Sequence, residues 1–336
     1  MAEDVMKTIK LGVPKGSLNY PGRGNTEGLF IDAGYDIKGY SPTKEQDSSL
    51  GIANDPEITL FLTRPQSAPN ELTRGLLDIA IIGDDWVMEE SVNGEKLEKL
   101  CDLEYGSTRL VTAIPKTNPA ETLSQVIAEK AKGERPLICY TEYINITKAH
   151  FMKNETYKKL YGDRPPLIQI RGIKSGENRD VQIINSDGVT EGYIAKGADI
   201  VVDNTQTGST LKKYGLKELD QIITSSASLY AGKGIDEDPW KKEKALDIRD
   251  HLMGAVIARK YNDVKFNIHK KDFDRLMGYL KENKLYSEFP TVTAVGDWYA
   301  VNIVVPKEAW PRISRELKKD YKASAIVRSN LRQLIL

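Results

Sequence analysis

The residues best suited to chemistry lie in one short run, Asp203-Asn204-Thr205-Gln206-Thr207-Gly208-Ser209-Thr210-Leu211. Four hydroxyl side chains around a single glycine let backbone N–H groups and hydroxyls wrap an oxyanion, and a following helix N-terminus adds a favourable dipole. Such a wrap suits a phosphate monoester better than a neutral ligand. The same run also reads as a turn in which Ser or Thr caps a helix over 212–216. Asp203, at its start, could hold ribose hydroxyls or a metal-bound water, or could stabilise the turn.

Other candidates stand at the ends of apolar runs. Lys15, in Pro14-Lys15-Gly16-Ser17, is either a second phosphate contact or a solvated loop lysine. Arg64 follows the run 58–62 and is fixed by Pro65, which suits a forked contact to phosphate oxygens; a surface salt bridge is the alternative. Tyr143, within Cys139-Tyr140-Thr141-Glu142-Tyr143-Ile144-Asn145-Ile146-Thr147, could stack on a base or pack in a core. The run 22–28 is spaced GxGxxxG, one residue too long for a dinucleotide fingerprint, and Pro21 interrupts its turn. GxxxxGK[ST] is absent, which argues against a P-loop ATPase. The only cysteines, Cys101 and Cys139, form no CxxC pair, and His150, His251 and His269 are scattered. That pattern disfavours a structural zinc site and Cys–His or Ser–His catalysis. Chemistry in this chain is expected to run on positioning and charge.

The elements that must hold these residues alternate. Strand-like runs fall at 9–13, 58–62, 79–82, 110–114, 137–140, 167–170 and 200–202, with helical stretches at 28–33, 71–77, 120–132 and 146–160 between several of them. Continuous apolar strands between helices predict α/β layers around mostly parallel sheets. One internal echo stands out: Gly75-Leu76-Leu77-Asp78-Ile79-Ala80-Ile81-Ile82-Gly83-Asp84 against Gly197-Ala198-Asp199-Ile200-Val201-Val202-Asp203. Each reads as a Gly turn, an Asp, a buried strand and an acidic residue. It is either a chance match or the mark of two similar lobes whose strands end at a shared cleft. After a polar loop at 231–240 and a charged helix at 241–260, the remainder reads strand 264–268, helix 271–283, strands 291–295 and 298–305, helix 307–319 and strand 325–328. That βαββαβ order predicts a ferredoxin-like domain.

The 336 residues suit two or three domains. Forty-eight basic residues against 48 acidic give zero net charge, which excludes a globally basic nucleic-acid binder. No apolar run reaches the roughly 18 residues of a membrane span, and the first residues carry no secretory pattern. A cytoplasmic setting with reduced, buried cysteines is expected.

Taken in order, the segments resemble the ATP phosphoribosyltransferase family of histidine biosynthesis, in its long form with a carboxyl-terminal regulatory domain. The likeness is carried by Val13-Pro14-Lys15-Gly16-Ser17-Leu18, Arg64-Pro65, the Gly75–Asp85 segment, Tyr105-Gly106 with Arg109-Leu110-Val111, the Tyr140–Thr147 segment, Gly188-Val189-Thr190-Glu191, the hydroxyl-rich loop, and Pro290-Thr291 through Asp297-Trp298-Tyr299-Ala300-Val301. It spans essentially the whole chain. The resemblance implies two periplasmic-binding-protein-like α/β lobes plus a ferredoxin-like (ACT-like) domain, with lobe I at 1–107 and 222–262, lobe II at 108–221 and the regulatory domain at 263–336.

It also implies a reaction in which adenine N1 of ATP joins the ribosyl carbon of phosphoribosyl pyrophosphate, releasing pyrophosphate. Thr207, Gly208, Ser209 and Thr210 would cradle the 5′-phosphate, Asp203 would lie near the ribose hydroxyls, and Gln206 and Glu191 would join them as substrate contacts. Lys15 and Arg64 would neutralise pyrophosphate or triphosphate. Asp84, Glu142 and Tyr143 would lie on the ATP side. Mg2+ would bridge pyrophosphate oxygens. Thr291 and Asn267 would contact histidine as a feedback effector, in a homo-oligomer expected to be a hexamer. The 18–28 stretch, with Asn19-Tyr20-Pro21-Gly22-Arg23-Gly24, departs from the family where a helix is expected to begin. Two rivals stay open: a phosphoribosyltransferase for another acceptor, and a non-catalytic two-lobed binding protein.

Overall fold

The computed structural model describes residues 6–19, 25–40, 50–91, 96–283, 285 and 290–335; the 20–24 part of the departing early loop lies outside them. The chain divides into two compact units, residues 1–26, 39–51 and 56–245, and residues 27–38, 52–55 and 246–336.

The first unit contains two α/β lobes. One is built on a five-stranded sheet ordered Ile58–Thr63, Ile9–Pro14, Ile79–Gly83, Ala227–Ala231 and Glu98–Asp102. The other has seven strands, ordered Ile173–Ser175, Pro166–Ile170, Asn178–Asn185, Leu137–Thr141, Ile200–Thr205, Thr108–Pro115 and Leu216–Ser225. The sheets are mixed rather than mostly parallel. Ala227–Ala231 runs antiparallel to Ile79–Gly83, and Thr108–Pro115 runs antiparallel to Ile200–Thr205. Both reversed strands follow a crossing of the chain from one sheet to the other, so each enters its new sheet from the opposite end. The two crossings are tied together at Ala227, whose N–H donates to Tyr105 O and whose carbonyl accepts from Leu103 N–H, both at 2.9 Å.

The internal echo is a structural repeat. Asp78 Oδ2 accepts the Lys10 N–H at 2.7 Å, and Asp199 Oδ2 accepts the Ile138 N–H at 2.9 Å. Each Asp also donates its own N–H to the carbonyl of that same residue, at 3.0 and 2.9 Å. An ammonium closes each arrangement, Lys241 at 2.8 Å from Asp78 and Lys130 at 2.7 Å from Asp199. In each lobe the strand after the Asp pairs parallel with one neighbour and antiparallel with the next. The sequence therefore lays down the same buried, bonded strand start twice.

Several expectations shift at their edges. The helix expected over 146–160 is two helices, Ile144–Lys153 and Glu155–Tyr161. Asn154 separates them because its side chain accepts the Thr156 and Tyr157 N–H groups at 3.0 and 3.2 Å, which starts a new helix. The helix expected over 212–216 is Ser209–Lys213, and Leu216 already begins a strand. Glu98–Asp102 and Leu216–Ser225 are edge strands with polar, half-exposed faces, so they lack the apolar run of the central strands.

In the second unit the segment from Tyr261 forms an antiparallel sheet ordered Thr291–Val295, Trp298–Pro306, Tyr261–His269 and Ser324–Asn330. Helices Lys270–Glu282 and Trp310–Lys319 cover one face, burying Val264, Phe266, Ile268, Val301, Ile303, Leu276 and Leu317 together. This is the ferredoxin-like order, with the fourth strand beside the first.

Candidate active site

A cleft of about 190 Å³ lies between the ends of the two sheets. Its floor is the pair of crossings, through Gly106, Ser107, Thr108 and Ser225. One wall carries Asp85 and Trp86 from the first lobe; the other carries Glu191, the residues from Asp203 to Thr207, Ser209 and Thr210.

The loop is shaped by its own hydroxyls. Thr205 Oγ1, buried, accepts the Gly208 N–H at 2.9 Å, which closes the turn. Gly208 takes a φ of +72° and caps Ser209–Lys213. A Cβ there would stand 2.7 Å from Glu218 Oε1, so glycine is required by conformation and by space. Glu218 is held by a two-pronged ion pair with Arg109, at 2.8 and 3.1 Å. Thr207, Ser209 and Thr210 are exposed and line the cleft, with Gln206 beside them.

Carboxylates crowd the same wall. Burial, then the charges of Glu191 and Glu142, push the Asp203 carboxyl up to about 7, against the Asn204 N–H bond that favours its ionised form. Glu142 is raised by burial too, although the Gly188 N–H donates to its Oε1 at 3.1 Å. Carboxyl groups raised in this way hold a proton more readily, and a cation arriving beside them favours their ionised form. Among the described residues no group of three or more His, Cys, Asp or Glu side chains could hold a metal ion by itself. Facing acids such as Glu191 and Asp203 do fit a divalent cation that arrives on substrate phosphates with part of its water shell.

Lys15 and Arg64 stand together at one sheet end. Pro14 pairs with Thr63 in register, and the Lys15 N–H donates to Thr63 O at 2.8 Å. Both side chains are exposed, and neither makes an ion pair among the described residues. Their sequence neighbours Leu18 and Pro65 line the cleft.

Asp84 is directed elsewhere. Its carboxylate takes the Tyr230 hydroxyl at 2.7 Å and the Lys99 ammonium at 3.0 Å. The next residue, Asp85, lines the cleft; its Oδ1 accepts from Ser225 Oγ at 2.8 Å and its Oδ2 from the Tyr143 hydroxyl at 2.7 Å. Sequence reasoning passed over Asp85, Trp86, Asn204 and Ser225 as site residues; the doubled acid in Gly83-Asp84-Asp85-Trp86 was the available signal. The Tyr143 ring is buried and stacked on Trp86, with centroids 4.4 Å apart, which removes it as a free stacking platform. Its hydroxyl accepts from Asn204 Nδ2 at 2.9 Å, so it joins both cleft walls.

Thr291 and Asn267 lie in the four-stranded sheet of the second unit, opposite Asn302 and Ala300 respectively. Both are exposed, on different strands separated by Trp298–Pro306. Cys139 is fully buried and its thiol is pushed up by burial, a core residue rather than a nucleophile. No helix among the described residues is long and apolar enough to cross a membrane.

The family model described as HisG, ATP phosphoribosyltransferase, matches residues 64–254. A protein of Thermodesulfovibrio yellowstonii named ATP phosphoribosyltransferase is 29% identical over 98% of this chain and 99% of its own length. One from Nitratidesulfovibrio vulgaris, of the same name, is 30% identical over 89% of both chains. Among solved structures, a chain of the ATP phosphoribosyl transferase (HisG:HisZ) complex from Thermotoga maritima superposes with a TM-score of 0.52 at 22% identity. That alignment covers 74% of this chain and 99% of the other, and it supports the fold.

Proposed function

The chain belongs to the ATP phosphoribosyltransferase family, and on that premise we propose that it joins adenine N1 of ATP to the anomeric carbon of phosphoribosyl pyrophosphate. The N1–C bond forms as the bond from that carbon to the pyrophosphate oxygen breaks, and pyrophosphate leaves with the electron pair. The observation that carries the reading is the Gly208 loop, wrapped by the hydroxyls of Thr205, Thr207, Ser209 and Thr210, opening into a cleft opposite Asp85 and Trp86.

No protein nucleophile is required. Catalysis is alignment of two bound substrates and stabilisation of leaving-group charge, which together can account for many orders of magnitude. In this reading Thr207, Gly208, Ser209 and Thr210 hold the 5′-phosphate through backbone N–H groups and hydroxyls. Asp203 accepts from the ribose hydroxyls, and Gln206 and Glu191 border the sugar. Lys15 and Arg64 carry the opposite charge to pyrophosphate or to the ATP triphosphate, and Glu142 and Asp85 border the acceptor. Mg2+, when bound, neutralises the pyrophosphate oxygens; Glu191 and Asp203 are the residues that would hold it, through water. The crowded acids of that wall, with Asp203 raised to about 7, support a substrate that enters with its cation.

The same reading makes the product step the first of histidine biosynthesis, in a cytoplasmic homo-oligomer, a hexamer, with histidine as feedback effector at Thr291 and Asn267. Lobe I is read as residues 1–107 and 222–262, lobe II as 108–221 and the regulatory domain as 263–336. The test is pyrophosphate release from ATP plus phosphoribosyl pyrophosphate with Mg2+, with and without histidine. Turnover that requires both substrates supports the reaction. Donor binding without turnover points to another acceptor, and absence of donor binding overturns the transferase reading.

A further inference from the structure

We propose that Glu89 is a positioning residue for this reaction, acting from the first lobe on the helix Ile144–Lys153 of the second. The inference rests on the function proposed above and adds a residue that does not line the cleft.

Glu89 lies in the helix Asp84–Glu90, one turn beyond the cleft residues Asp85 and Trp86. Its side chain reaches the start of Ile144–Lys153, where Oε1 accepts the Asn145 N–H at 2.7 Å and Oε2 accepts the Ile146 N–H at 2.9 Å. Asn145 Nδ2 returns a bond to the Glu89 carbonyl at 3.0 Å. These are the N–H groups that a helix start leaves without intrahelical partners. An Asp, Ser or Thr at the N-cap normally takes one of them. Here the N-cap is Tyr143, which makes no side-chain cap bond. The cap is supplied by the other lobe instead.

The exchange has a consequence at the cleft. With its capping role taken over, Tyr143 sends its hydroxyl to Asp85 while receiving Asn204 Nδ2. Asn204 opens the phosphate loop, and Asp85 forms the opposite wall. Trp86 stacks on the Tyr143 ring and closes the assembly. Glu89 thus fixes the N-terminus whose first residue sets the spacing of donor loop and acceptor wall. Glu89, Asp85 and Tyr143 are only 4%, 4% and 1% exposed, so water has little access to replace these bonds. Burial, with a smaller push from the Glu90 charge, raises the Glu89 carboxyl to about 7, against the pull of the Asn145, Ile146 and Ile144 amides. A buried acid that both lobes share is a costly way to cap a helix unless the alignment matters.

The experiment compares wild type, Glu89→Gln, Glu89→Asp, Tyr143→Phe and Glu89→Gln with Tyr143→Phe in the full chain. Glu89→Gln keeps the shape but turns an NH2 towards one of the two amides; Glu89→Asp keeps the charge with a shorter reach. Amide exchange over residues 141–149 reads the cap directly, and steady-state kinetics near about pH 8.5 read the alignment with the carboxylate ionised. The expected result is faster exchange at Asn145 and Ile146 in Glu89→Gln and a kcat lowered about ten- to a hundredfold. Calorimetric affinity for phosphoribosyl pyrophosphate stays within about twofold, Glu89→Asp recovers part of kcat, and the double variant loses less than the product of the two single losses.

Faster exchange with unchanged kcat overturns the positioning role, as do fully multiplicative losses. If Glu89→Gln does not fold, the proposal stands or falls on whether Glu89→Asp lowers kcat by a smaller but measurable factor at unchanged donor affinity. An inactive wild type overturns the function and this inference together; an active wild type with normal variants overturns this inference alone.

Discussion

Glu218 stands directly behind Gly208, its Oε1 only 2.7 Å from where a Cβ at that glycine would begin. Arg109 holds the Glu218 carboxylate with two bonds, at 2.8 and 3.1 Å, so this neighbour gives way by shifting or breaking its ion pair. The turn of the hydroxyl loop is therefore backed by a fixed charge pair, and its φ of +72° is one that L side chains rarely adopt.

Gly208→Ala is expected to weaken binding of phosphoribosyl pyrophosphate at least about tenfold while leaving the fold intact. The strained φ costs about 1–2 kcal/mol, and the displaced Glu218 adds to it locally. Calorimetric titration of the donor checks this, with circular dichroism as the control on folding. Donor affinity within a factor of three of wild type would remove the loop from the binding site.

Asp203 gives a pH signature. Its folded-state value of about 7 lies above the ordinary carboxyl value, so the folded protein binds the proton more tightly than the unfolded chain. Its contribution to stability is complete at pH below the unfolded value and is lost as pH rises through about 7. Asp203→Asn carries no such titration. The variant should melt closest to wild type near the unfolded value of 3.8 and several degrees above it at pH 8, while losing most of its turnover. Equal melting differences at both pH values would contradict the assignment.

Much of this was legible in the chain, for reasons that differ by residue. The loop 203–211 was visible because hydroxyls around one glycine are an unusual local composition, and the central strands because they are continuous apolar runs. The ferredoxin-like order was visible because its strand and helix runs follow one another as βαββαβ. What stayed hidden was direction. Asp84 and Asp85 are indistinguishable in sequence, yet one turns to Lys99 and Tyr230 and the other into the cleft. Helix rotation decides that, and only packing fixes helix rotation. Glu89 was hidden for a related reason: its partners are backbone N–H groups more than 50 residues away, which leave no mark on residue type. The antiparallel strands escaped because their direction follows from the chain crossing between lobes, which no local pattern records.

The repeated Asp gives a stability prediction in two halves. Asp78→Ala removes the acceptor of the Lys10 N–H and orphans the Lys241 ammonium, and Asp199→Ala removes the acceptor of the Ile138 N–H and orphans both the Lys130 ammonium and the Arg135 guanidinium. Breaking a partly buried, charge-assisted arrangement of this kind costs on the order of 2–3 kcal/mol. Both variants should lower the denaturation midpoint by similar amounts, with donor affinity unchanged below the transition. A large loss in one and none in the other would mean that the two lobes share a sequence pattern without sharing its energetic role.

Lys15 and Arg64 carry the last prediction, since they are the cations at the paired strand ends beside the cleft. They are exposed and make no ion pair among the described residues, so removing either should cost the fold little. Their value lies in the phosphates they meet, which makes it sensitive to ionic strength. Lys15→Ala and Arg64→Ala should each raise the KM of a polyphosphate substrate about tenfold at low salt, and the gap to wild type should narrow as salt rises. Arg64→Lys should recover only part of the loss, because an ammonium cannot reproduce the forked contact of a guanidinium. Full recovery by Lys would reduce Arg64 to a point charge. An unchanged KM in Arg64→Ala would place the pyrophosphate and triphosphate away from this strand end.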